Sequence, residues 1–362
     1  MPNAIDHTAS VTLRVVDQSG FLEEYYGSNL VPNANINLRS VNYGVEYRIK
    51  TDESGVAVFN EMISDTYSCA VEARLSAEIV EAITGAPVER RLIGGESSID
   101  VSAEFNDYEL TITVDLAPLS DVVFSELYTT GPPGAGLYWH DKYVEIFNMA
   151  DEEVYLDGIV IAWVRRGYIT EPYIYSKQVW IFPGDGEDYP IYPQEFKVLA
   201  TDAIDHTINA PESVDLSDAD FEFYLHWGPD INNPDVPNMI PIYQPSGYDW
   251  LMPGEQGAFV LARVDDVYEL NFRDDYMLIP KSDVIDGMEY LRDPSRLDEK
   301  ILDPKIDAGA TGGVQFYTGR SMERKIRYTE DGWTLENNNN SSLDFVVLDE
   351  PTPGYHHALP RD

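Results

Sequence analysis

Asp141-Lys142-Tyr143-Val144-Glu145-Ile146-Phe147-Asn148, with Asp151-Glu152-Glu153-Val154-Tyr155-Leu156-Asp157-Gly158 close behind it, decides how this chain is read. Both halves are rich in β-branched and aromatic residues, and a short polar break separates them, which reads as strand, turn, strand. Working outward, the clearest alternation lies earlier in the chain. Tyr67, Cys69, Val71, Ala73 and Leu75 alternate with polar or small neighbours, and Tyr108, Leu110, Ile112, Val114 and Leu116 alternate with Glu109, Thr111, Thr113 and Asp115. A period of two with one polar side is the pattern of a strand in a half-buried sheet. Residues 11–17, 36–38, 45–50 and 56–59 read as further strands, the last two joined by the turn Thr51-Asp52-Glu53-Ser54-Gly55. Residues 76–93 also read as extended, because Ile79, Val80 and Ile83 are β-branched, with a solvated tip at Glu89-Arg90-Arg91.

Periodicity stops at Ala117-Pro118-Leu119-Ser120 and resumes at Val122. The expectation is therefore an all-β protein of two β-sandwich domains: a flexible start at 1–10, a first sandwich at 11–118, an enlarged second one with long loop insertions at 119–355, and a tail at 356–362. Strands of the second sandwich are expected at 121–128, 142–148, 153–164, 195–200, 221–227, 257–264 and 343–348. The alternation of Phe221, Phe223, Leu225 and Trp227 makes 221–227 the strongest of these.

The formal charge is −40, from 64 acidic against 24 basic residues, and the acids are spread along the whole chain. Such a surface repels polyanions, so no nucleic-acid partner is expected and anionic membrane surfaces are poor partners, since both bind through clustered Lys and Arg. The same charge predicts a protein steadied by salt, which screens like charges beyond about 10 Å at 0.1 M. The single cysteine, Cys69, rules out an intramolecular disulfide and falls on an inward strand face, as an inert core thiol does. The longest apolar run, Gly158 to Val164, is far below the roughly 20 residues of a transmembrane helix.

Several motifs carry a resemblance. Asp17-Gln18-Ser19-Gly20, Val31-Pro32-Asn33-Ala34-Asn35-Ile36-Asn37-Leu38, Thr51-Asp52-x-x-Gly55-x-Ala57-x-Phe59 and Thr66-Tyr67 resemble a carboxypeptidase-regulatory or transthyretin-like domain, which implies a small structural spacer. Phe124-Ser125-Glu126-Leu127-Tyr128, the Tyr143-x-Glu145-x-x-Asn148 strand, Tyr155-Leu156-Asp157-Gly158, Gly319-Arg320-Ser321-Met322-Glu323-Arg324 and Pro351-Thr352-Pro353-Gly354 follow the order of lamin-tail-like (Ig-like) sandwiches. Together with Ile285-Asp286, Ile306-Asp307-Ala308-Gly309 and Asn339-Asn340-Ser341-Ser342-x-Asp344-Phe345, they resemble a Bacteroidota family of exported lipoproteins of unknown function. What the resemblance implies is export to the bacterial cell envelope or outer surface, with any lipid anchor carried by a leader upstream of this chain. Met149 and Ala150 depart from the Asn and small polar residue usual after Asn148.

Catalytic templates are absent from the sequence: there is no His-Glu-x-x-His, no Gly-x-Ser-x-Gly, and no phosphate- or dinucleotide-binding glycine loop. Glu126 and Glu145, both on motif strands, are the natural pair if the protein hydrolyses polysaccharide, as acid or nucleophile. The alternative for them is structural: acceptance of loop N–H groups or pairing with Arg320 or Arg324. Tyr143, Asn148, Asp157, Gly158 and Asn340 are read as structural signature residues. No cofactor is required, and calcium is the one ion worth testing, with Asp185 and Asp188 as weak candidates beside Glu187, and Asp215, Asp218 and Asp220 as a second acidic knot. His356-His357 reads as a solvated tail pair. The remaining feature is an aromatic segment interrupted by Gly and Pro, in which Tyr168, Tyr173, Tyr175, Trp180 and Tyr189 are candidates for stacking on a glycan or filling a pocket on a surface protein. The expected function is non-catalytic binding or structural support, with a carboxylate-pair hydrolase and a calcium-stabilised module as alternatives.

Overall fold

The computed structural model describes residues 8–84, 90–102, 107–116, 121–136, 138–167, 172–245, 250, 252–329 and 332–360. The molecule is all-β and falls into two compact units, Met1–Leu119 with Ser295–Gly309, and Ser120–Pro294 with Ala310–Asp362. Residues 295–309, expected in the second domain, group with the first unit, where Lys305 pairs with Asp115 at 2.5 Å.

The first unit is a seven-stranded sheet in the order Glu46–Lys50, Asn35–Ser40, Asp65–Leu75, Arg90–Val101, Asp107–Leu116, Thr8–Asp17, Val56–Ile63. Its first and last strands come into contact, so the sheet curls around one core. Val11, Leu13, Val15, Ile36, Leu38, Tyr67, Cys69, Val71 and Val114 fill that core, the residues that period-two alternation turns inward. Cys69 is buried, and burial pushes its thiol far above the ordinary range, away from the reactive thiolate. The extended reading of residues 76–93 is corrected in part: Ala77–Thr84 is an α-helix that buries Val80, and the strand begins at Arg90. Ile79, Val80 and Ile83 share one helical face, and that packing outweighs β-branched propensity. Residues 85–89 between them lie outside the described residues.

The second unit packs a six-stranded sheet, ordered Phe221–Glu222, Phe196–Ala200, Tyr143–Asn148, Val122–Tyr128, Ser321–Arg324, Phe345–Leu348, against an eight-stranded one. The latter runs Phe272–Arg273, Tyr276–Pro280, Tyr173–Ile181, Val160–Arg166, Gly257–Ala262, Val284–Leu291, Thr311–Gly312, with Ile240–Tyr243 paired to Tyr173–Ile181. Phe124, Val144, Ile146 and Met322 from one sheet meet Ile161, Trp180, Phe259, Leu261 and Met288 from the other, as in a sandwich. Val122–Tyr128 and Tyr143–Asn148 are buried along their whole length. Their second face is covered by the C-terminal chain, where Leu335 and Trp333 pack on Val123 and Phe147.

Two strand expectations change here. Residues 153–164 split into Val154–Tyr155 and Val160–Arg166, because Leu156-Asp157-Gly158 makes a turn with Gly158 at φ +71°. Residues 221–227 keep only Phe221–Glu222 as strand. Phe221, Phe223 and Leu225 still point inward, but the Leu225 N–H goes to Asp230 at 2.7 Å and Gly228 turns back on Leu225, so the alternation survives without a ladder.

Candidate functional site

Two features of the second unit carry chemistry. The first is a row of glutamates. Glu126 lies opposite Glu145 on one side and Glu323 on the other in three adjacent strands, so three carboxylates stand side by side on the outer sheet face. All three are at most 1% exposed. Like charges directly opposite one another in a sheet are unfavourable, and burial adds to that cost.

The C-terminal segment resolves the conflict by capping the row with donors. The Thr352 N–H lies 3.1 Å from both oxygens of Glu126, Tyr143 donates to Glu126 at 2.6 Å, and the Gly354 N–H donates to Glu145 at 2.7 Å. Ser125 also donates to Glu145. The Thr352 hydroxyl sits 3.0 Å from both Glu126 and Glu323. A hydroxyl has one proton, so it donates to one glutamate and accepts from the other, and one of the two carries a proton. Glu126 fits that part: burial, with Glu323 adding repulsion, pushes its carboxyl up to about 7. Burial and the neighbouring Glu126 raise Glu145 well above the carboxylate range as well. Glu323 is ringed by donors instead, the N–H of His357 at 2.9 Å and the His357 ring, with the His356 ring packed beside it.

The histidines are thus not a solvated tail pair. His356 is buried and His357 half exposed. Glu323, His356 and His357 bring three potential ligand atoms within 4.8 Å of one another. Their hydrogen bonds do not suit a metal: Nδ1 of His356 accepts from the Ala358 N–H at 3.1 Å, so its proton lies on Nε2, which donates to the Arg324 carbonyl at 2.8 Å. Both nitrogens are occupied, and burial lowers the proton affinity of the ring. The arrangement fastens the chain end over the glutamates. With the carboxylates sealed beneath it, Glu126 and Glu145 have no face on which to meet a polysaccharide.

The other signature residues hold loops. Asn148 accepts from the Ala150 N–H and donates to the Glu152 and Ile191 carbonyls. Asp157 gathers the N–H groups of Gly186, Asp188 and Tyr189 at 2.9–3.0 Å. Those inward N–H groups make a poor calcium cage, and Asp188 is occupied by the Asp185 N–H. In the second acidic knot Asp215 caps Ser217 and Asp220 pairs with Lys197. Asn340 caps the short helix Ser341–Asp344. Arg320 pairs with Asp349 at the surface, whereas Arg324 is buried between Asp286 and Asp344, so neither arginine meets Glu126 or Glu145 as expected.

The second feature is an aromatic cavity, and it is not where the sequence placed it. Tyr168 lies outside the described residues. Tyr173, Tyr175 and Trp180 stand on the regular strand Tyr173–Ile181. Trp180 is fully buried against Phe223 and Tyr175 is 3% exposed, which removes both from any binding face. Tyr173 is half-buried on that strand, and Tyr189 packs on Phe221. The segment is a central strand whose aromatics serve the core.

The cavity itself measures about 510 Å³ and is walled by Trp139, Trp163, Trp250, Met252, Pro253 and Phe316. Trp139 is 46% and Phe316 44% exposed, while Trp250 is buried beneath them, edge-on to Phe223. Gly254 lets Phe316 lie flat on the backbone, for a Cβ there would meet the ring at 2.0 Å. Polar groups at the wall are His140, Lys142 and Arg165. His140 faces the buried Asp202 at 3.4 Å, and Lys142 donates to the Met252 carbonyl at 2.7 Å. Sequence reasoning missed this site because its rings come from four separated segments, with no local spacing to betray them.

Residues 192–352 match a family model described as a protein of unknown function, DUF4876. No curated protein matches the chain. Among solved structures, a DUF4876 family protein from Bacteroides thetaiotaomicron is 23% identical, with 93% of this chain and 94% of that one covered, at a TM-score of 0.58. A DUF3823 family protein from Bacteroides uniformis is 9% identical over 53% of this chain and 87% of that one, at a TM-score of 0.20. This chain therefore shares its fold with the Bacteroides thetaiotaomicron protein, and its C-terminal half is similar to a family whose function is unknown.

Proposed function

We propose that this chain is a non-catalytic recognition protein of the bacterial cell envelope, and that the aromatic cavity of its second unit is the recognition site. The observation that carries the reading is the cavity: an open hollow of about 510 Å³ with three tryptophans and a phenylalanine in its wall, two of the rings nearly half exposed. Small-molecule sites span roughly 300–1,000 Å³ and have mostly apolar and aromatic walls with few polar groups. Concave exposed aromatic surface gains nothing in folding and gains much when a ligand covers it. Export and an envelope location rest on the lipoprotein-like motifs, as do the transthyretin-like and lamin-tail-like assignments of the two units. The glycan or protein contact first assigned to the 168–189 segment moves, in this reading, to Trp139, Trp163 and Phe316.

The test is a thermal-shift and tryptophan-fluorescence screen of the full chain against sugars, peptides and organic acids. Trp139→Ala and Phe316→Ala, both at exposed rings, should abolish any hit and leave the melting temperature of the free protein within a few degrees. A hit that survives both substitutions refutes the assignment.

A further inference from the structure

The cavity wall gathers basic groups on a strongly acidic chain. Acids outnumber bases 64 to 24 overall, yet among the described residues the wall carries His140, Lys142 and Arg165 and no carboxylate. Asp202 offsets His140, and Arg165 brings an exposed positive charge to the wall. Arg165 is exposed, its guanidinium lies 4.8 Å over the Trp163 ring, and among the described residues it has no carboxylate partner. Four other arginines of this unit have one: Arg263 with Asp121, Arg292 with Glu255, Arg320 with Asp349 and Arg324 with Asp286. A guanidinium stacked flat on an indole keeps its N–H edge free for the two oxygens of a carboxylate. Low-dielectric aromatic walls strengthen that attraction.

The remaining wall is too apolar for a free sugar, whose ring of hydroxyls needs many partners, and too poor in donors for a bare inorganic anion, which would lose its water without replacement. Resting on the recognition reading above, we infer that the cavity takes a small amphiphilic organic anion: an apolar or aromatic ring, stacked among Trp139, Trp163 and Phe316, that bears a carboxylate held by Arg165.

The test titrates the full chain, at fixed ionic strength, with 2-naphthoate and with its neutral counterpart 2-naphthamide by isothermal calorimetry, and with glucuronate as a polar carboxylate. Naphthoate should bind about tenfold or more tighter than the amide, as a charge-assisted bidentate contact requires. Arg165→Gln, at an exposed position, should bring the two within about twofold without weakening the amide, and Trp139→Ala should weaken both. Equal affinity of naphthoate and naphthamide for the wild type overturns the anion inference and leaves the cavity as the recognition site. A preference that persists in Arg165→Gln overturns the role of Arg165. Binding of glucuronate without naphthoate overturns the apolar body of the ligand, and no binding of either ring, or binding indifferent to Trp139→Ala, overturns the cavity reading itself.

Discussion

Glu126→Gln should stabilise the larger unit in alkaline solution and leave it unchanged in acid. In the folded chain burial holds the Glu126 proton up to about pH 7, against an ordinary value of 4.5. The folded state therefore binds the proton more tightly than the unfolded chain. Its contribution to stability is complete below pH 4.5, fades as pH climbs, and is gone above pH 7. At about 1.4 kcal/mol for each pH unit the full effect is roughly 3 kcal/mol, and coupling to the neighbouring Glu145 reduces it to about 1–3 kcal/mol. Glutamine is uncharged like the protonated acid: its NH₂ group can donate to the hydroxyls of Thr352 and Tyr143, which share one carboxyl oxygen of Glu126, while its oxygen accepts from the Thr352 N–H. Urea denaturation of variant and wild type at pH 4, 5, 6, 7 and 8, at constant ionic strength, should show coincident curves at pH 4 and a growing advantage for the variant toward pH 8. For a domain of this size that advantage corresponds to roughly 2–12 °C in Tm. Glu212→Gln, an exposed acid in the same unit, controls for net charge. A difference between Glu126→Gln and wild type that is the same at pH 4 and pH 8, or that favours the wild type at pH 8, refutes a shared proton in the row.

Three further outcomes follow from the geometry. Gly254→Ala forces Phe316 off the cavity wall and should weaken ligand binding at least about fivefold with a modest loss of stability, about 1–3 kcal/mol for a local clash, read by calorimetry and urea melts. Trp180→Ala removes a fully buried ring from the core and should cost about 3–5 kcal/mol in urea denaturation, whereas Tyr173→Ala, at a half-buried position, should cost clearly less. Arg324→Met leaves Asp286 and Asp344 buried without their cation and should destabilise by about 3–5 kcal/mol at pH 8; in Arg324→Met with Asp286→Asn much of that loss should return.

The legible part of the fold was the part written in nearest-neighbour pattern. Val11, Leu13 and Val15, or Tyr67, Cys69 and Val71, announce a strand and its inward face because successive side chains in a strand point to opposite sides. Residues 221–227 mark the edge of that logic: alternation foretold which side chains are buried and not whether the backbone pairs, since Asp230 and Gly228 capture the Leu225 peptide locally. Ala77–Thr84 was misread because three β-branched residues fit a strand as well as one face of a helix. The histidine pair was misread because its burial is created by Arg324 and Glu323, more than thirty residues away. Glu126 and Glu145 were singled out on motif strands, but their opposition to each other and to Glu323 depends on register, which no single strand encodes.

The two polar clusters of the second unit differ in one respect that bears on function. In the glutamate row each carboxylate has donors from the sheet or the chain end and is at most 1% exposed, so the raised proton affinity of Glu126 and Glu145 serves the fold. A perturbed carboxyl is a functional signal when it lines a cleft, and here it lines none. At the cavity the reverse holds: Arg165 stands exposed at an open wall, stacked on Trp163, with no carboxylate partner among the described residues. A folded chain satisfies its buried polar groups internally, whereas a cation at an accessible wall is held by water until a ligand takes the water's place. Recognition is therefore sought at Arg165, where a partner is missing, and not at Glu126, where the partners are all present.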